Sequence, residues 1–404
     1  MNKILLLFLS LGICNLFSVH AQTGVFYFAS DENVDKQATA VAIVQEPNDS
    51  LILINLQANE DYTNQSLLFL KTKIDGTVGV SKIIPIENLH NFVYVSRLNQ
   101  TNYKVFGNQN INKHYQPFQL KLTNSGKLVE MESEASVFST LTSHVAMDKD
   151  FYYILYTKNG KNERYNISLL KLAVETNKVV WLKKISSEQN EEADQIYVTE
   201  NGTLYILGKK FNDDVSEYLP IIYKLDATGN QLWKKGIDVP ANFNKQTFLI
   251  TPNQNIIYMC AYTKLQTGMT ETRLIKFSDE GTEMHHKTID DLSANGMLKL
   301  TNDQLVLFGS KFYVNQKQVV TKGSFTLLGS GFNELLSKTL DQTDTPDTKL
   351  NLPVQTSSDF TTAIELHDGR IAFAGKVFMT LPQGIKRNVP LLMITNADGT
   401  YQKN

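Results

Sequence analysis

Short apolar runs separated by polar turns recur along this chain in a fixed order. Each copy carries an apolar run, a Gly or Asn at a tight turn, and a second run that ends in Lys. The turn residue falls at Gly76, Gly126, Asn177, Gly229, Gly281, Gly331 and Gly399. A period of about 51 residues marks a repeat architecture, in which each unit is one supersecondary element unable to bury its own faces. Seven copies predict an all-β fold, a seven-bladed β-propeller of four-stranded antiparallel blades.

The fullest copy displays four strands. Residues 194–199 read as strand A, 203–208 as strand B, 219–225 as strand C and 231–235 as strand D. Asn201-Gly202 and Gly229-Asn230 are hairpin turns, because Asn and Gly accept the positive φ that matches the twist of the strands. Strands B and C are almost continuously apolar, as expected of a sheet covered on both faces, here by the two neighbouring blades. Strand B ends near a small residue in several copies (Gly107, Gly208, Ala261, Gly309 and Gly375), where close backbone packing is expected.

Lysines follow the same period. Lys71, Lys121, Lys171, Lys224 and Lys276 recur on strand C, and Lys82, Lys183, Lys235, Lys287 and Lys338 on strand D. Strand D is the outermost, and Lys on an exposed edge discourages pairing with another chain. The strand C lysines are expected to lay their stems on apolar surface and reach water at the rim. Two residues before each strand D lysine stand Val80, Trp181, Trp233, His285 and Leu336, with Met131 in the equivalent place of the second copy. A packing contact with a neighbouring blade is expected there.

At this point two copies resemble the repeat of quinoprotein-type propellers. Residues 172–181, Leu-Ala-Val-Glu-Thr-Asn-Lys-Val-Val-Trp, are similar to the pattern Leu-Asp-x-x-Thr-Gly-Lys-x-x-Trp, and residues 225–233 follow it one residue shorter. Ala173 and Asn177 depart from the pattern, and the other blades lack the Trp. Enzymes of that family usually carry eight blades, and their quinone and metal contacts have no counterpart in this sequence. The resemblance therefore implies the fold and no cofactor.

The first residues read as a secretory signal, with Lys3, an apolar stretch over 4–17, and Val19-His20-Ala21 as the cleavage site before Gln22. The expected organisation is a signal peptide over 1–21 and a propeller over 22–404, exported to the periplasm or the exterior. The stretch is shorter than the roughly 20 apolar residues of a membrane span. A lipoprotein reading through Cys14 is opposed by the bulky Ile13 before it. The mature chain keeps Cys260 alone, so no internal disulfide is expected, and its apolar surroundings mark a buried, inert thiol. Residues 24–29 form an apolar strand ahead of the first full copy, while the last copy ends in a stub after Thr400. That N-terminal strand is expected to complete the last blade and close the ring.

Strand order places the A–B and C–D turns on one face and the B–C and D–A loops on the other. The second set reads as longer, and binding residues favour long loops on a rigid scaffold. Tyr62, Tyr115, Tyr165 and Tyr218 recur there, accompanied by Asp61, His114, Arg164, Asp213, Asp214 and Glu217. Tyr62, His114, Tyr115, Arg164, Tyr165, Asp213, Asp214 and Tyr218 are the candidates for contact with a protein or glycan partner. A residue repeated at the blade period is more naturally a packing residue stacked on the next blade, since functional residues rarely recur once per repeat. The seventh copy is longer by about 17 residues, an insertion that surface loops tolerate.

A net charge of −2 gives no reason to expect nucleic acid, and no later segment has the apolarity of a membrane span. Zinc-protease, serine-hydrolase and phosphate-loop signatures are missing from the sequence. His90, His144 and His367 read as loop or turn residues with no shared spacing. No catalytic residue, metal ligand or cofactor is named, and a monomer is expected. The resulting expectation is an exported binding or scaffold propeller without chemistry of its own. One alternative is a glycan hydrolase or lyase using carboxylates that converge at the channel mouth; another is a quinoprotein-like redox protein.

Overall fold

The computed structural model describes residues 24–28, 36–59, 65–133, 140–159, 165–186, 190–212, 217–240, 242–264, 267–315, 318–340, 357–380 and 386–401. These residues form seven four-stranded antiparallel sheets, with no helix among them. Blades 1 to 6 span residues 36–85, 89–133, 140–184, 191–236, 243–290 and 292–339, each with four consecutive strands paired in sequence order. Blade 7 draws three strands from residues 358–395. Its fourth is the N-terminal strand Gly24–Tyr27, in register from Gly24 opposite Ile394 to Tyr27 opposite Leu391. The expected closure of the ring is present.

Burial follows position in the blade. The A strands lie beside one another around the axis. In blade 1, strand C (Ser66–Thr72) is buried almost throughout, whereas strand D (Val78–Pro85) is mostly exposed. Inner strands have a neighbouring blade against both faces, and the outer strand lies where blades diverge. The core is therefore a set of apolar wedges between blades, such as Tyr205, Ile222, Ile256 and Tyr258 between blades 4 and 5.

Every A strand carries a β-bulge, for example between Ala193 and Gln195 in blade 4 and between Phe360 and Thr362 in blade 7. The bulge brings an A-strand carbonyl down onto strand B. A Cβ added to Gly208 would lie 2.5 Å from the Glu192 oxygen, and one added to Gly107 the same distance from the Asn91 oxygen. This is the physical reason for the small residues seen on strand B. Backbone N–H groups beside the bulge hook onto the preceding blade: Thr142 N donates to Asn108 Oδ1 (2.8 Å) and Ala193 N to Thr157 Oγ1 (2.9 Å). A bulge thus bends the inner strand and joins two blades.

The periodic turn residue and the strand D residue prove to be partners. Gly229 and Gly281 hold φ of 82° and 76°, a left-handed conformation that glycine adopts without strain. The Trp181 ring of blade 3 lies over Gly229 of blade 4, 3.1 Å from where a Cβ would sit, and Trp233 covers Gly281 of blade 5 in the same way. Trp233 Nε1 donates to the Asp279 carbonyl (3.2 Å), Lys183 Nζ to Asn230 Oδ1 (2.9 Å), and Lys235 Nζ to the Gly281 carbonyl. Trp and Lys together clasp the turn of the next blade, so these two lysines do more than guard an edge. Leu336 packs on Gly399 and Phe26 on Gly76 at two further junctions.

Four expectations need correction. In blade 2 the residue opposite the strand C lysine, the place that Trp181 and Trp233 hold, is Glu130 and not Met131, because Glu130 follows Gly126 at the spacing that separates Trp181 from Asn177 and Trp233 from Gly229. In blade 6 the left-handed residue is Phe332 (φ 62°) and not Gly331, since Phe332 N closes the turn on the Gly329 carbonyl as Gly281 N does on Ser278, and its ring lies 5.6 Å from that of His285. Strand C lysines are not simply extended to water: Lys71 pairs with Glu46, Lys224 with Asp279 at 2.5 Å, and Lys171 lies 4.0 Å from the Phe151 ring centroid. The B–C and D–A face is not uniformly long-looped either. Asn112 and Lys113 alone join strands B and C of blade 2, because those strands run on as a hairpin, and Asp291 alone joins blades 5 and 6.

Candidate functional site at the channel mouth

Each A strand starts on the B–C and D–A face, so its first residues surround the channel mouth together with the end of strand B and the start of strand C. In blade 4, Glu192 on strand A (Glu191–Val198) stands opposite Lys209 on strand B (Leu204–Asn212). Their side chains pair at 3.0 Å. The Tyr218 hydroxyl donates to Glu192 Oε1 (2.9 Å), and Lys209 Nζ lies 4.9 Å from the Tyr218 ring centroid. Burial first, then the hydrogen bond and charge of Glu192, push the Tyr218 phenol up to about 12, and Tyr165 of blade 3 is near enough to add to the rise.

Asp194 occupies the bulge of the same strand and accepts a hydrogen bond from Gln246 Nε2 of blade 5. Burial raises its carboxyl above the ordinary range, against the pull of Lys209 and of the Gln246 hydrogen bond. In blade 7, Asp359 Oδ1 accepts from Asn295 Nδ2 of blade 6 (2.7 Å), whose amide also donates to the Phe360 carbonyl (2.8 Å). Burial raises this carboxyl too, against the Asn295 and Ser310 hydrogen bonds and the charges of Lys376 and Lys245. Both residues are half-buried by exposure to water although protein surrounds their carboxyls on most sides. Both carboxyls thus lie on inner strands at a junction between two blades. Each carboxyl is held by an amide from the adjacent blade, an arrangement suited to exchanging hydrogen bonds with hydroxyl groups.

The sequence candidates divide. Tyr165 and Tyr218 are brought together with Glu192. Tyr115 stands apart in blade 2, its ring 4.7 Å from that of His90, and His114 begins the same strand, His114–Thr123. Tyr62, Arg164, Asp213 and Asp214 lie outside the described residues, as do Asp61, the signal segment, and most of the seventh-copy insertion. His114, Tyr115, Tyr165, Glu217 and Tyr218 open strand C and are not loop residues, since hairpin pairing continues to the tip. His90 and His144 are likewise corrected from loops to A strands, Leu89–Arg97 and Thr140–Met147. His144 Nδ1 has no hydrogen-bond partner, and burial pulls the ring down to about 4, so it is neutral at pH 7.

Sequence reasoning missed Asp194, Gln246, Asn295 and Asp359. At Asp194 and Asn295 a polar residue inside an inner strand was the visible signal, since blades 1 and 2 carry Val41 and Val93 at the same bulge position. Cys260 is fully buried, and burial pushes its thiol up to about 11, in keeping with the inert-thiol reading. Among the described residues no group of three or more His, Cys, Asp or Glu is placed to hold a metal ion, and no helix is long and apolar enough to cross a membrane.

No family model matches the sequence, and no curated protein matches it. Among solved structures, a protein of unknown function from Dyadobacter fermentans superposes with a TM-score of 0.51 at 14% identity, over 92% of this chain and 98% of that one. A subtype N10 neuraminidase-like protein of A/little yellow-shouldered bat/Guatemala gives 0.43 at 13% identity, over 76% of this chain and 94% of that one. At these identities the first likeness speaks for the propeller fold alone, and the second, at its lower score, carries no argument.

Proposed function

We propose that this protein is an exported binding propeller that takes a hydroxyl-rich ligand, a glycan, at the mouth of its channel. The observation that carries the reading is the pair of desolvated carboxyls, Asp194 and Asp359, each fixed by an amide of the neighbouring blade. Acceptors and donors on rigid inner strands need little ordering when a ligand arrives. Tyr218, held by Glu192 with Tyr165 nearby, adds a ring face at the blade 4 end of the mouth. Binding to a glycan array tests the reading, using the wild type with Asp194→Asn and Asp359→Asn. Each substitution should weaken binding by ~10-fold or more at unchanged melting, the scale of a lost charged hydrogen bond. A wild type that binds no glycan, or variants that bind as well as it does, would end this proposal.

A glycan hydrolase is the second reading, favoured by the same carboxyls, because burial raises them in the sense that suits a general acid beside a leaving group. Release of reducing ends by the wild type and its loss in both variants distinguish cleavage from binding. Export rests on residues 1–21, and N-terminal sequencing of the mature protein should begin at Gln22. A redox role rests on the quinoprotein-like repeats, whose Trp181, Trp233 and Gly229 are used in the blade clasp. Visible absorbance of the purified protein tests it.

A further inference from the structure

We propose that the wedge between blades 2 and 3 is a second ligand site, selective for a small organic amine with an aromatic or branched aliphatic body. A cavity of about 360 Å³ opens there, walled by Phe106, Phe118, Ile154, Tyr156 and Leu172. It continues into a second chamber of about 190 Å³, and the two share Gln119, Glu132 and Asn177. The first volume lies in the range of small-molecule pockets, with apolar walls and few polar groups.

The polar groups choose the ligand. Glu132 is the one charged residue among the described residues lining the larger chamber. Its carboxylate accepts from Gln119 Nε2 and, at 3.4 Å, from Asn177 Nδ2, using two of about four lone-pair positions. A donor entering the chamber therefore finds a charged acceptor, and an anion finds repulsion. In the adjoining chamber Glu130 and Glu175 balance Lys104 and Lys121, so among the described residues of the groove Glu132 leaves an excess of one negative charge. Aromatic faces also suit an ammonium. The protein already places one here: Lys104 Nζ, held by Asn177 Oδ1 at 2.6 Å, lies 5.5 Å from the Phe106 centroid and 5.0 Å from that of Tyr152.

Phenethylammonium is a direct probe, followed by calorimetry and by saturation-transfer NMR on the full mature chain. It should bind the wild type, and Glu132→Gln should weaken it by ~10-fold, as expected when a charge-assisted contact is lost. Phenethyl alcohol and phenylacetate, with the same body and a neutral or anionic head, should bind at least ~10-fold more weakly by the same argument. Ser133→Trp, at the exposed rim, should block the cavity. Both positions are exposed, so melting is expected to stay unchanged and to certify the fold. Asp194→Asn should leave amine binding untouched, which separates this site from the channel mouth. No binding of the probe at millimolar concentration, equal binding to Glu132→Gln, or phenylacetate binding as tightly would overturn the proposal.

Discussion

Two junctions of the ring are made from the same repeat and end differently. Between blades 4 and 5, Trp233 covers Gly281, Lys235 grips the same turn, and Tyr205 with Lys224 binds Asp279. Between blades 2 and 3, Glu130 stands opposite the strand C lysine where the Trp would be, Asn177 replaces the glycine, and Tyr156 fills the place that Gly208 holds in blade 4. Met131 packs back into the wedge of blades 1 and 2, leaving the outer part of its own junction to the cavity. A clasp needs a bulky ring and a bare backbone together. Loss of either converts a packing surface into space, and space with a carboxylate at its edge is a site.

The severest break in this comparison is at the closing junction, which is clasped by Phe26 on Gly76. Removing residues 24–28 should strip blade 7 of its fourth strand and bare the wedge that holds Val25 with Phe325 and Phe373. Repeats lean on their neighbours, so the loss should spread. The expected cost exceeds about 4 kcal/mol, at the upper end for losing a large buried side chain. Calorimetry and light scattering check it; an unchanged melting temperature without aggregation would show that the strand does not hold the ring.

Next in size is Trp233→Ala, expected to cost about 2–3 kcal/mol because the ring is only partly buried. Glu130→Ala, at the equivalent place of the open junction, should cost less than about 0.5 kcal/mol, because that side chain is exposed. Equal losses in the two variants would dissolve the contrast between filled and open junctions.

Acid and base should act on the two junctions in opposite ways. The two Trp of the chain are Trp181 and Trp233, both in clasps, so their emission reports on that side of the ring. Burial alone would raise the Asp279 carboxyl, but hydrogen bonds from Lys224 and Tyr205 and the Lys224 charge hold it below its ordinary value. A depressed carboxyl contributes stability above the unfolded value of 3.8 and loses it as pH falls through the folded value. Trp emission should therefore shift to the red below about pH 4, and Asp279→Asn should remove that step. Lys104 behaves in the other sense. Burial lowers its ammonium below 10.5 against the charges of Glu132 and Glu130, so the penalty for burying it is present at neutral pH and lifts as pH rises towards 10.5. Lys104→Met should flatten the alkaline limb of the stability curve and leave the acid limb unchanged.

These differences explain what the sequence could and could not disclose. Blade count, strand order and ring closure follow from the spacing of turn residues and from apolar runs such as 219–225, because short-range patterning sets them. The strand D residue was legible as a contact, yet its partner, the next glycine about 50 residues on, required the ring to be seen. Phe332 was misplaced by one residue because a neighbouring glycine offered the cheaper turn. Asp194 escaped notice because a bulge shifts alternation by one position, so a polar residue there does not declare which way it points, and Asp359 because its partner Asn295 lies 64 residues away in the preceding blade. The cavity was written as three exceptions to the repeat, and exceptions are hard to distinguish from drift without their spatial coincidence.

The finest test comes where two terms of opposite sign compete at one residue. Asn177 holds φ at 53°, and replacing it by glycine relieves a left-handed conformation at a gain of up to about 1 kcal/mol. The same change leaves the Lys104 ammonium buried without its acceptor, which costs about 1–3 kcal/mol. The second term should win, so Asn177→Gly should lower stability by about 1 kcal/mol even though it restores the residue that most of the other repeats carry. With Lys104→Met already in place the acceptor has no task, and the glycine should then be neutral or stabilising by a few tenths. Chemical denaturation of the four proteins in a double-mutant cycle should give a coupling of about 1 kcal/mol or more. A glycine that stabilises equally in both backgrounds would mean that Asn177 is only a strained turn residue, and that Lys104 is held by the rings of Phe106 and Tyr152 alone.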